Sequence, residues 1–243
     1  EVAEGVPNHA ANLMRSLWDI DQVMHAHGLS LFAGSTMETI KVPDRETIFL
    51  RAAIILLCAA WEAYVEDLAR DTLSHLIANI KEADELPLAL KKRIAKGIKE
   101  SRHDLSPWQL AGGSWRQFVL DRFGEDVEGL HSPKSGKIRQ LYADWLGVDD
   151  VTSCWNWEYF EPSGVCSLID GFVETRGAMA HGRPSKHTLS LNLLAYWQLL
   201  VVECSFRMSN EMDIKLAKIC GSNPWGQLRQ TVDWKRYTKT LDG

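Results

Sequence analysis

Arg176 and His181, with four residues between them, are the pair of side chains in this sequence whose types and spacing could do chemistry. They lie in the segment Arg176-Gly-Ala-Met-Ala-His181-Gly182. An imidazole can abstract or donate a proton while a ribose 2′-OH attacks the adjacent phosphate. A guanidinium can neutralise the charge that builds on the phosphorane by bidentate contact. Together they could cleave RNA without a metal. A second match to the spacing is Arg70 and His75. Residues five apart on a continuous helix point about 140° away from each other. Arg70 and His75 fall inside an apparently unbroken helical stretch and should diverge. His181 falls at a helix end before Gly182, where the backbone can leave helical angles, so the Arg176/His181 pair is preferred.

Competing chemistries leave no trace in the motifs. The chain has no G-x-S-x-G, no Gly-rich phosphate loop ending in Lys-Ser/Thr and no H-E-x-x-H. Five scattered cysteines, with no C-x-x-C, argue against a disulfide framework or a zinc knuckle. No cofactor or metal is expected. The net charge of −5 gives no global basic field, so any RNA contact must be local. Lys91, Lys92, Arg93, Lys96, Lys99, Arg102 and His103 form the strongest basic cluster, readable as a phosphate surface or as a solvated helix face. Arg183, Lys186 and His187 directly follow the Arg/His pair and are the candidates for substrate contact.

These residues need helices to position them, and helical periodicity runs through the whole chain with no hairpin-bounded strand pattern. A first helix is predicted over about 8–27, with Leu13, Leu17, Ile20 and Met24 on one face. Asp44 can N-cap a second that continues to about residue 80. Its run Ala52 to Trp61 is apolar all round, which marks it as the central, buried helix. That run is too short for the ~18 residues a bilayer span needs. The N-terminus has no basic-then-apolar signal pattern. A cytoplasmic protein without membrane contact is expected. Residues 81–162 are punctuated by Pro and Gly and read as a helical insertion ending in Trp155, Trp157, Tyr159 and Phe160. Those aromatics could stack bases, cover a dimer seam or plug the insertion onto the core. Ser163 can N-cap the helix that ends at His181, and a long apolar helix is predicted over about 188–220.

On the helix from Gly164, Val165, Leu168, Ile169, Phe172, Met179 and Ala180 form an apolar stripe that includes Arg176. On the central helix, Ile55, Cys58, Ala59, Val65, Ala69 and Leu73 form a stripe that includes Glu62. Opposite charges on two core-facing stripes predict a buried Glu62–Arg176 ion pair, either structural or orienting the Arg.

The segment from Phe172 to Gly182 resembles the R-x4-6-H signature of HEPN domains, which often ends in Ala-His-Gly. The segment Ala59-Ala-Trp-Glu-Ala-Tyr-Val-Glu-Asp-Leu-Ala69 resembles the matching helix of the RiboL-PSP-HEPN and related prokaryotic branches, with its Glu beside an aromatic. The resemblance covers about 44–80 and 163–220. It implies an all-α, up-and-down helical bundle of HEPN type, here with an extra N-terminal helix and a helical insertion, as one domain over 1–243. It also implies a homodimer in which Arg176 and His181 of both protomers face one cleft, with Glu62 in support. The activity implied is that of a metal-independent endoribonuclease, a toxin or anti-phage effector, with RNA as substrate and an antitoxin or regulatory protein as a further partner. The alternative is a non-catalytic HEPN module that binds RNA or a protein. Gly177 stands where many active members carry a polar residue after the Arg. Arg183 stands where some toxins carry a Tyr that is inactivated by nucleotidylation, so control by that modification is not expected.

Overall fold

The long helix α2, Thr47–Asn79, forms because nothing in its 33 residues interrupts it. It contains no Gly or Pro and is rich in Ala and Leu, the strongest apolar helix formers. The computed structural model describes residues 7–26, 47–181 and 188–226. Among these the architecture is all-helical: α1 (Asn8–Ala26), α2, α3 (Leu88–Glu100), α4 (Trp115–Val127), α5 (Ser135–Leu146), α6 (Pro162–Ala180) and α7 (Leu191–Cys220), with three short 3-10 turns between them. The helices α1, α4, α5, α6 and α7 all pack on α2. Asp44, the expected cap of α2, lies outside the described residues.

Burial fixes this arrangement. Leu50, Ile54, Leu57, Trp61, Tyr64, Val65 and Leu68 on α2 are fully or almost fully buried. Each such side chain contributes roughly 1.5–3 kcal/mol. The polar tips of Trp61 and Tyr142 find backbone partners. Trp61 Nε1 donates to Pro133 O at 3.2 Å, and Tyr142 OH donates to Val65 O at 3.1 Å. The middle region is therefore fastened to the central helix by its own core contacts. Trp155, Trp157 and Phe160 are buried and plug that region onto the core, whereas Tyr159, the fourth member of the cluster, is 59% exposed.

The run Ala52–Trp61 does lie on the central helix, but it is not buried all round: Leu56 is 45% exposed and Ala59 is exposed. The exposed side of α2 continues through Ile48, 65% exposed, and Ala63. By length and composition α2 could also cross a bilayer, with an 18-residue window of mean hydropathy 1.8, half of it buried by its neighbours. The ten-residue apolar run underestimated this, because a few polar residues do not interrupt a hydrophobic window.

The N-terminal helix is clamped by a buried hydrogen-bond chain. His9 Nδ1 meets Asp71 Oδ2 at 2.8 Å, His9 Nε2 meets Ser209 Oγ at 3.1 Å, and Ser209 Oγ lies 2.7 Å from Tyr64 OH. The Asp–His–Ser order is that of a hydrolase relay, but Ser209 is 2% exposed in the middle of α7. Its backbone N–H belongs to the helix ladder, so no oxyanion donor accompanies it. The chain joins α1, α2 and α7.

Candidate functional site

The helix α6 carries both Arg176 and His181. It starts at Pro162, after Glu161, rather than at Gly164 after Ser163. Pro is suited to the first helical position, where its missing N–H is not needed. Val165, Ile169, Phe172 and Val173 bury one face of α6, and the Phe172 ring sits 5.2 Å from that of Trp197 on α7. Asp170 accepts from Ser135 N at 2.7 Å and from Ser135 Oγ at 3.1 Å, which caps the start of α5. One turn later Glu174 pairs with Lys134 at 2.9 Å. These contacts set both the rotation and the height of α6 in the bundle.

Arg176 follows Phe172 by one turn, so it leaves the core face where the cover thins, and it is half-buried. Leu168 and Met179, expected in the core stripe, are half-buried as well, and Ala180 is exposed. The inward face of α6 runs through Val165, Ile169, Phe172 and Val173, and has turned away by residue 180.

His181 is the C-cap of α6, with φ −100° and ψ 13°, and is exposed. Its N–H donates to Gly177 O and its imidazole is open to solvent. Gly182, Arg183, Lys186 and His187 lie outside the described residues.

Glu62 and Arg176 come into one neighbourhood around Cys58. Burial pushes the Cys58 thiol up to about 12, Arg176 pulls it down and Glu62 pushes it up. The expected buried ion pair is not formed. Both side chains are half-buried, and no ion pair among the described residues joins them. The reason is geometric: Glu62 sits at the border between the buried and exposed faces of α2, beside exposed Ala59 and Ala63.

Glu66, one turn beyond Glu62, is a residue the sequence reading missed. Its carboxyl is pushed up to about 7, chiefly by burial and then by the Glu62 charge, with Arg70 opposing. Two carboxylates one turn apart on an apolar helix were the available signal. The site thus has a guanidinium, an imidazole at the helix end and the Glu62 carboxylate on the adjoining helix, with Glu66 one turn further along α2. Among the described residues no group of three His, Cys, Asp or Glu is placed to hold a metal ion.

The second Arg/His match separates as helix geometry requires. Arg70 is exposed, with its guanidinium carbon 5.7 Å from the Phe123 ring centroid. His75 Nε2 lies 3.3 Å from Ser222 Oγ, beyond the end of α7.

Comparison with known proteins agrees with this fold. No curated protein and no solved structure matches the chain. The family model described as RiboL-PSP-HEPN matches residues 29–202, a span that takes in α2 through α6 and the first part of α7 and includes the middle region. Membership carries a nuclease or RNA-related role in general terms. A match over well over half of the sequence, on an all-helical bundle carrying Arg176 and His181 at the end of α6, means that the chain belongs to the RiboL-PSP-HEPN family.

Proposed function

We propose that the protein is a metal-independent endoribonuclease, working in the cytoplasm as a homodimer and serving as a toxin or anti-phage effector. The observation that carries this reading is an exposed His181 at the cap of α6 and, five residues earlier on the same helix, a half-buried Arg176 that no carboxylate among the described residues neutralises.

In the reaction, the 2′-OH of the substrate loses its proton to an imidazole and its oxygen attacks the adjacent phosphorus. The P–O5′ bond breaks, and the leaving 5′-oxygen takes a proton from a second acid. The products are a 2′,3′-cyclic phosphate and a 5′-hydroxyl. Arg176 holds the phosphoryl oxygens as charge accumulates. One chain supplies one such imidazole, whereas the reaction uses a base and an acid. Two-fold pairing supplies the second. The exposed apolar side of α2, with Ile48 and Leu56, adjoins the Glu62 border and supports such a pairing. Glu62 acts by its charge on the Arg176 neighbourhood, and Arg183, Lys186 and His187 serve the substrate.

A non-catalytic module binding RNA or a protein through the same cleft is the second reading, and Gly177 directly after Arg176 favours it. Incubation of the purified protein with total RNA, with and without EDTA, separates the two. Cleavage that leaves 2′,3′-cyclic ends and survives the chelator is expected. RNA left intact under all conditions would favour the binding module.

A further inference from the structure

The outward face of α3 carries Lys92, Lys96 and Lys99, spaced four and three residues apart. Leu90 and Ile94 bury the opposite face, so the three lysines form one stripe toward solvent. Arg102 extends it past the helix end and is exposed. Other members of the same basic cluster are occupied. Lys91 pairs with Asp84, and Arg93 pairs with Asp126 and Asp144, fastening α3 to α4 and α5. Lys96 has only a 3.9 Å contact to Glu100, while Lys92, Lys99 and Arg102 make no ion pair among the described residues.

At the end of this stripe stands Trp108, 73% exposed, on the 3-10 turn Ser106–Leu110. The turn is held to the end of α3, because Ser101 Oγ and Ser106 Oγ share a hydrogen bond and Ser106 is buried. Leu105, 60% exposed, lies beside it. A solvent-facing indole on a turn hydrogen-bonded to the end of this basic helix is an arrangement the core does not need. It is the one that single-stranded nucleic acid uses: cations along the backbone, an aromatic plane for a base. Between α3, the turn and α4 runs an open groove of about 440 Å³, whose lining includes Phe118, Asp121 and Glu125. Arg122 also lines it and pairs with Glu125, but Glu100 and Asp121 leave its charge negative, which favours phosphate on the lysine stripe over the groove.

We infer that α3 and the Trp108 turn form a binding track for single-stranded RNA, with phosphates on Lys92, Lys96, Lys99 and Arg102 and a base stacked on Trp108. This rests on the reading that the substrate is RNA. The track stands apart from Arg176 and His181, since α3 packs on α5 and α5 on α6. Two helix spacings of 8–10 Å put at least roughly 16–20 Å between them. A strand of several nucleotides engages both, so the track selects unpaired RNA of sufficient length.

The test uses the full chain and a fluorescent 20-nucleotide 2′-O-methyl oligouridylate. This probe has no free 2′-OH, so binding is read whether or not the protein cleaves RNA. Trp108→Ala is expected to weaken binding about 5- to 100-fold, from the usual worth of a stacked base. Trp108→Phe should recover most of that loss. Replacing Lys92, Lys96 and Lys99 by Gln should reduce the slope of log K against log salt by about 2, at ~0.7 per phosphate contact. Melting temperatures should stay unchanged. Wild-type affinity and salt slope in the folded variants would overturn the track. So would binding to phosphatidylserine-containing vesicles that Trp108→Ala abolishes while oligonucleotide binding persists. Absence of cleavage of ordinary RNA, with the binding pattern intact, would overturn the nuclease reading alone.

Discussion

Glu62 on α2 and Arg176 on α6 act on the same buried thiol, Cys58, with opposite sign, yet no ion pair joins them. This matters for the chemistry. An arginine locked into a buried carboxylate pair would meet a phosphate with its charge already compensated. Arg176 instead forms no ion pair among the described residues, which leaves its charge uncompensated by a bonded carboxylate.

The loose relation predicts a small effect on stability. Glu62→Gln should cost less than about 1 kcal/mol, as for partly exposed charges. In a chain of this size that is a shift of about 2–4 °C or less. Thermal melting at neutral pH checks it. A loss of ~3–5 kcal/mol, the penalty for breaking a buried pair, would mean that the two side chains close into a bond in solution.

Glu66 predicts a pH dependence of opposite sense to that of an ordinary ion-paired carboxylate. Its folded carboxyl is pushed up to about 7 by burial first and by Glu62 second. The unfolded value is ~4.3. The folded state therefore holds the proton more tightly, and the associated stability is full below ~4.3. It declines as pH rises toward 7 and is absent above. The side chain is only half-buried, so solvent screening limits the effect to about 1 kcal/mol. Glu66→Gln should raise the melting temperature by a few degrees at pH 8 and leave it unchanged at pH 4. An equal change at both values would show that Glu66 is not the titrating group.

The contrast between Arg176 and Glu66 shows what was legible in the sequence. The helices, the divergence of Arg70 from His75 and the position of the Arg176/His181 pair at a helix end all follow from 3.6-residue periodicity and stop signals. Those are local properties of the chain. The Glu62–Arg176 pair was misread because a stripe gives the direction of a residue but not the depth of cover over it. Glu62 and Arg176 both sit at stripe edges, where a few degrees of helix rotation decide burial. The anchors of α6, Asp170 on Ser135 and Glu174 on Lys134, join residues 35 and 40 positions apart. No periodicity reports such contacts. The same holds for Arg93, which looked like part of a phosphate surface and is a bolt between three helices.

His9 predicts that α1 can be released without melting the rest. It is fully buried between Asp71 and Ser209, with the Trp225 ring 4.8 Å away. His9→Ala leaves both partners short of a hydrogen bond and opens a gap, at a cost of roughly 1–3 kcal/mol. Amide hydrogen exchange should accelerate over 8–26 while α2 keeps its protection. Uniform acceleration through α2 and α7 would instead make α1 part of one cooperative unit.

The last prediction concerns Arg176 and His181 as members of one two-fold cleft. Each substitution alone, Arg176→Ala or His181→Ala, should reduce RNA cleavage by ~10²–10⁴-fold, the usual weight of an acid/base or charge-stabilising group. Helicity should be retained, because both residues lie at the thinly covered end of α6. His75→Ala should leave cleavage intact, since its imidazole faces Ser222 and not Arg70. Around α6 the two side chains start about 140° apart, which makes joint contact with one phosphate difficult within a chain. Across a two-fold axis, the Arg of one protomer can serve a phosphate together with the His of its partner. Mixing the two inactive variants under conditions of subunit exchange should therefore restore part of the activity. The mixed dimer keeps one intact Arg and one intact His on opposite protomers. A mixture that forms dimers by light scattering and stays inactive would show that one guanidinium and one imidazole per dimer do not suffice, as when base and acid must both be His181. A wild-type chain that cleaves RNA while remaining monomeric at micromolar concentration would remove the two-fold cleft from the mechanism altogether.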